Sequence, residues 1–152
     1  MSQIPTNRLR LQIDLTSPGA TVNNRADTLT NPPSIYRKSI VRIEIGLYSS
    51  GVILADFTGV STIACGFQDA AILGTWLATN VTPAAPTNTL TDPQWTAGDP
   101  ANYHAAFTLS QAQTNIGIAN KFQAALVVYT IDALGNINPI AVIPVTVLSS
   151  GV

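Results

Sequence analysis

Charge is what this sequence has least of. Only 10 % of its 152 residues are Asp, Glu, Lys or Arg, against roughly 25 % in an ordinary soluble domain. Seven basic and eight acidic side chains leave a net charge of −1. The basic residues sit mostly early, at Arg8, Arg10, Arg25, Arg37, Lys38 and Arg42, with Lys121 alone later. They form no run that could follow a phosphate backbone, which argues against a nucleic-acid partner. Arg8 and Arg10, two apart, would share the solvent face of a strand.

Chemistry-bearing residues are equally sparse. The chain has one cysteine, Cys65, and one histidine, His104. A single cysteine closes no internal disulfide, and a metal site wants several His, Cys or carboxylate ligands converging. No glycine-rich phosphate cradle, Gly-x-Ser-x-Gly or Cys-x-x-Cys occurs, so no cofactor or nucleophile motif is readable. Long apolar runs are missing too. "AALVVYTI" and "IAVIPVTVL" are strand-sized, well short of the ~18–20 residues that cross a bilayer. The opening "MSQIPTNRLRLQ" has no basic stretch leading into an apolar one, so no secretory signal is expected.

What is present is a period of two. "RLRLQIDL" (Arg8 to Leu15) puts Leu9, Leu11, Ile13 and Leu15 on one face and Arg8, Arg10, Gln12 and Asp14 on the other. That alternation predicts a half-buried strand. "SIVRIEIGLYSSG" repeats it, with Val41, Ile43, Ile45 and Leu47 inward and Arg42, Glu44 and Tyr48 outward. Ser49, Ser50 and Gly51 then supply a hairpin turn into "VILADF". "STIACGFQ" is a further strand, with "GTWLATNVT" expected beside it. "YHAAFTLS", "KFQAALVVYTID" and "PIAVIPVTVL" follow, the last placed at an edge or a bulge by Pro139 and Pro144. "ALGNIN" turns the final hairpin.

Between these lie two loop regions. A long loop around 16–38, rich in Pro, Gly, Asn and Thr, has room for a short strand. A second, "PAAPTNTLTDPQWTAGDPAN", holds four prolines. Thr91 and Ser110 are suitable N-caps for single helical turns. The sum is one domain over 1–152: all-β, an antiparallel β-sandwich, immunoglobulin-like or jelly-roll-like, with one or two short helical turns. Trp76, Phe107 and Tyr129 are expected between its sheets, and Trp95 at one end.

The candidate sites divide into a bland and a sharp reading. His104 lacks a second histidine or a nearby thiol and reads as structural. Asp132, Asn136 and Asn138 supply too few oxygens for calcium and read as a hairpin. The eight acids scatter mostly to turns, where aspartate stabilises local bends. Asp92 and Asp99 flank Trp95 and could meet a glycan, which makes a carbohydrate-binding module the alternative function. Tyr36, Tyr48 and Tyr103 are candidate interface residues, because tyrosine offers area and a hydroxyl at little entropic cost.

The order of strands, with Trp95, Gly98, "AAFTLSQAQTN" from Ala105 to Asn115 and the closing "TVLSSG", resembles the small β-sandwich modules of bacteriophage tail-fibre and baseplate proteins. The amino-terminal domain of baseplate upper proteins is among them. The likeness covers about Ile40 to Gly151 and is one of pattern. It implies a non-enzymatic virion part: a tail, baseplate, neck or head-decoration subunit. Such a part would be assembled in the host cytoplasm and would act as a homo-oligomer docked to other virion structural proteins. A charge-poor surface fits that expectation, since contacts with copies and neighbours would cover it.

Overall fold

Strict alternation becomes a strand with one dry face. In the computed structural model, which describes residues 6–16, 20–22, 25, 27–54, 60–77, 103–117 and 121–150, β1 is Arg8–Asp14. Its Leu9, Leu11 and Ile13 are completely buried, and the polar residues between them are half-buried. Leu15, expected inward, lies beyond the strand end and is exposed. The remaining strands are β2 (Ala20–Val22), β3 (Ser34–Tyr36), β4 (Val41–Ser49), β5 (Val52–Ile53), β6 (Thr62–Asp69), β7 (Ala105–Leu109), β8 (Lys121–Ile131) and β9 (Ile137–Leu148).

These strands form two mixed sheets packed face to face. The first runs β2-β1-β4-β5, with β7 also against β4; the second runs β3-β9-β8-β6. Leu9, Ile43, Ile45 and Phe107 of the first sheet share one buried cluster with Ile35, Phe67, Leu126 and Val145 of the second. The all-β sandwich read from the sequence is therefore the architecture. It differs from a purely antiparallel one in two pairings, β1 with β4 and β3 with β9, which are parallel. The reason is a crossover made by a strand. After β2 the chain crosses to the second sheet as β3 and returns as β4 beside β1. The long loop thus holds β2 and β3, and the second of these was not expected.

Turns follow local chemistry. Ser49 pairs with Val52, so Ser50 and Gly51 alone close the β4–β5 hairpin. Both have positive φ, 51° and 79°, which a two-residue hairpin turn of the right twist requires. Asp14 ties the tip down: its carboxylate accepts the backbone N–H of Gly51 at 2.9 Å. At the β8–β9 turn Asp132 accepts the N–H groups of Leu134 and Asn136, each at 2.9 Å.

Ser110 begins a single capped turn between β7 and β8. Gln113 N–H donates to Ser110 Oγ at 3.3 Å, and Ser110 N–H donates to Gln113 Oε1 at 2.8 Å. This is a reciprocal capping box, and it carries the chain from one sheet to the other. No helix forms among the described residues. Gly117 (φ 75°) then bends into β8 where a Cβ would run into the Phe122 ring.

Proline marks the edge of the second sheet. Thr146 N–H points away from β8 and reaches Pro33 O at 2.9 Å. By the period of two, Pro144 turns its missing donor to that same outer flank. Pro139 adjoins the irregularity in register opposite Val128 and Tyr129.

Candidate functional site

The histidine is the first place to look for chemistry. β5 and β7 both lie on the flank of β4 away from β1. β7 covers Val41 to Ile45 and β5 covers Tyr48 to Ser49. Neither strand covers Gly46 and Leu47, and His104 fills the gap. Its backbone N–H donates to Ile45 O at 2.7 Å. Leu47 N–H donates to ring Nδ1 at 2.9 Å, and ring Nε2 lies 3.0 Å from Leu54 O. Because Nδ1 accepts, the proton sits on Nε2 and is donated to Leu54. Leu54 N–H closes the circuit onto Leu47 O at 2.9 Å. The residue is 3 % exposed. Burial lowers its pKa, and the bond to Leu54 opposes that in part. Both ring nitrogens bond backbone groups, so His104 acts as a splint in a sheet.

Glu44 corrects a second expectation. Alternation sends it outward, and it does lie on the outer face of β4, yet it is completely buried. Arg8 explains this. Its Nε and Nη2 grip both carboxylate oxygens, with the Nη2 to Oε2 distance at 2.9 Å. Arg42 Nε stands 3.8 Å from Oε1. Arg42 also donates to Tyr103 Oη at 3.0 Å, with its guanidinium 5.8 Å from that ring's centroid. An Arg-x-Glu pair on one strand face, opposite another Arg, was the sequence signal for a clamp.

The three tyrosines are not brought together. Tyr48 lies on β4 and Tyr103 just before β7, both half-buried, while Tyr36 lies on β3 in the second sheet and is 46 % exposed. Trp76 and Tyr129 do not fill the gap between sheets. Leu126 and Val128 take the inward positions of β8, so Tyr129 faces out. There it meets Trp76, with ring centroids 5.8 Å apart. Phe107 and Leu109 do enter the core. Trp76 bridges to Gln68, and Leu77 N–H reaches Phe67 O at 3.0 Å, which begins the pairing expected beside β6. Trp95, Asp92, Asp99, Gly98 and the Thr91 turn lie outside the described residues.

Cys65 is fully buried in the core, and burial pushes its thiol up to about 12. Among the described residues no three His, Cys, Asp or Glu side chains group as metal ligands. No helix there is long and apolar enough to cross a membrane. An open depression of about 380 Å³ is lined by Lys38, Gln111, Ala112 and Asn115, with one ionisable side chain among them.

Charge separates sharply between the sheets. β1 and β4 carry Arg8, Arg10, Asp14, Arg42 and Glu44. In β3, β6, β8 and β9 the charged residues are Asp69 and Lys121, both at strand termini. Asp69 pairs with Ala124, three residues from Lys121, so both sit at one end of the sheet. Beyond Lys121, the described outward positions of these strands are uncharged, and Ile137, Val142 and Trp76 are exposed. No family model matches this sequence, and neither a curated protein nor a solved structure matches it significantly.

Proposed function

We propose that the chain is a structural subunit of a bacteriophage-like particle, in the tail, baseplate, neck or head decoration, and works by self-assembly and by docking to neighbouring virion proteins. The observation that carries this reading is the charge-poor outer face of the β3-β9-β8-β6 sheet, where Lys121 is the one charged outward strand residue among those described. Burying such a face against a copy or a neighbour desolvates few charges, so the apolar gain is not offset by the cost of stripping water from ions. The interior of the sandwich supplies rigidity. Its histidine and thiol are both committed to the framework.

Sedimentation velocity across a wide concentration range tests the assembly. Species heavier than the 16.0 kDa chain are expected. Val142→Asp, at an exposed position on that face, should move them toward monomer without altering the fold. A monomer at every concentration would overturn the reading. Mass spectrometry of purified particles tests the virion assignment, and absence of the chain from them would remove it.

A further inference from the structure

The circuit of Leu47, Leu54 and His104 depends on which ring nitrogen holds the proton. Nδ1 accepts from Leu47 N–H, and Nε2–H serves Leu54 O. A second proton on the ring would place Nδ1–H against Leu47 N–H, donor facing donor. The ring must then leave, and both of its bonds go with it.

What it would leave behind is weakly held. β5 is two residues long and pairs only with Tyr48 and Ser49 among the described residues. Beyond that pairing, among the described residues, the Leu54–Leu47 bond and the His104 ring tie the return strand to β4, and Leu54 packs partly buried against the core. We propose that His104 is an acid-released latch: neutral, it holds Leu54 to the flank of β4; protonated, it frees the β5 return strand while the two sheets stay packed.

The groups around it set the direction. On β4, Glu44 and Tyr48 flank Gly46, and Arg42 lies one outward position further on. On β1, Gln12 is in register with Gly46, between Arg10 and Asp14. Tyr103 precedes the histidine, and β5 (Val52, Ile53) brings no ionisable group. Arg8 occupies Glu44. Burial is what holds the ring neutral, and the bond to Leu54 opposes it in part. Asp14, at the hairpin tip, is a second acid-sensitive tie. It holds Ser50 and Gly51, not Leu47 or Leu54.

A nitrogen-15 NMR titration of the whole chain from pH 7.5 to 4.5 separates these. At pH 7.5 the ring should show the Nε2–H tautomer. It should then titrate with a midpoint below 6.5, the ordinary histidine value. The amide signals of Leu47 and Leu54 should shift with the same midpoint, while those of Leu126 and Val145 stay fixed. Static Leu47 and Leu54 amides through the ring's titration would overturn the latch. So would collapse of all amide dispersion in one step, which would make His104 part of global unfolding. Movement confined to Ser50 and Gly51 would assign the acid response to Asp14 and also overturn it. A His104→Gln chain that folds should lose the shared step at Leu47 and Leu54; retention of that step counts against the latch.

Discussion

Arg8 stands in register with Arg42, yet its guanidinium grips Glu44, the next residue on that face. Two like charges directly across a parallel pair repel, and the buried carboxylate, gripped by Arg8 and 3.8 Å from Arg42, offsets that repulsion. Glu44 is thus the counter-ion that permits two arginines side by side on the first sheet. Glu44→Gln should destabilise the fold by about 3 kcal/mol, the low end of the range for breaking a buried pair, because Arg8 retains some solvent. Urea denaturation gives the measurement, and Arg8→Met should cost a similar amount by removing the two-point grip on the buried carboxylate. Equal midpoints for wild type and Glu44→Gln would refute the role.

His104→Ala should cost about 1–3 kcal/mol, because it leaves the buried Leu47 N–H and the partly buried Leu54 O without the ring. Its pH dependence has a definite sign. The folded-state pKa lies below the unfolded value near 6.5, so the unfolded chain binds more protons in that window. The ring's stabilisation is complete above about pH 6.5 and is lost as pH falls toward and through the folded pKa. Denaturation midpoints at pH 7.5 and 5.0 should therefore differ more for wild type than for His104→Ala. The reverse order would mean that the ring is not the titrating group.

Two glycines separate strain from space. Gly135 has φ 85° and open surroundings, whereas Gly117 has φ 75° and the Phe122 ring where a side chain would go. Gly135→Ala should cost only the left-handed penalty of about 1–2 kcal/mol. Gly117→Ala should add overpacking, about 1–3 kcal/mol more. Thermal unfolding of the two variants compares them, and the Gly117 variant must be the less stable.

Cys65 should resist chemistry in the folded state. The thiolate is the reactive form, and burial keeps this thiol protonated at any ordinary pH. Alkylation at pH 8 should be negligible in native protein and fast in 6 M guanidinium, with mass spectrometry as the readout. Rapid labelling of native protein would show that the β6 side of the core opens.

The strands of the sandwich were legible because their burial is one-sided. Leu9, Leu11 and Ile13 announce β1, and Ile43, Ile45 and Leu47 announce β4, through an alternation that only a two-layer packing explains. The pairings were less legible. Ser34–Tyr36 is three residues long and reads as loop; it becomes β3 only because Thr146 to Leu148 offer a flank. Glu44 misled for a related reason. Parity gives the face, but burial on that face depended on Arg8, more than thirty residues away and on a strand whose partner the sequence does not name. His104 was readable as structural because the sequence sets no second histidine or thiol near it, while the gap it fills appears only once β5 and β7 are seen to share one side of β4.

The parallel pairing of β3 with β9 has a consequence for synthesis. Ser34 meets Thr146, more than a hundred residues later in the chain. Ile35 therefore leaves the ribosome long before the strand beside which it will be buried. Closing such distant contacts is slow, on the order of milliseconds to seconds for all-β topologies, and the nascent chain must wait with its first apolar strands uncovered. Few charges are available to keep it dispersed meanwhile. The twelve residues of β9 complete the second sheet, so neither layer has its full cover until they have been made.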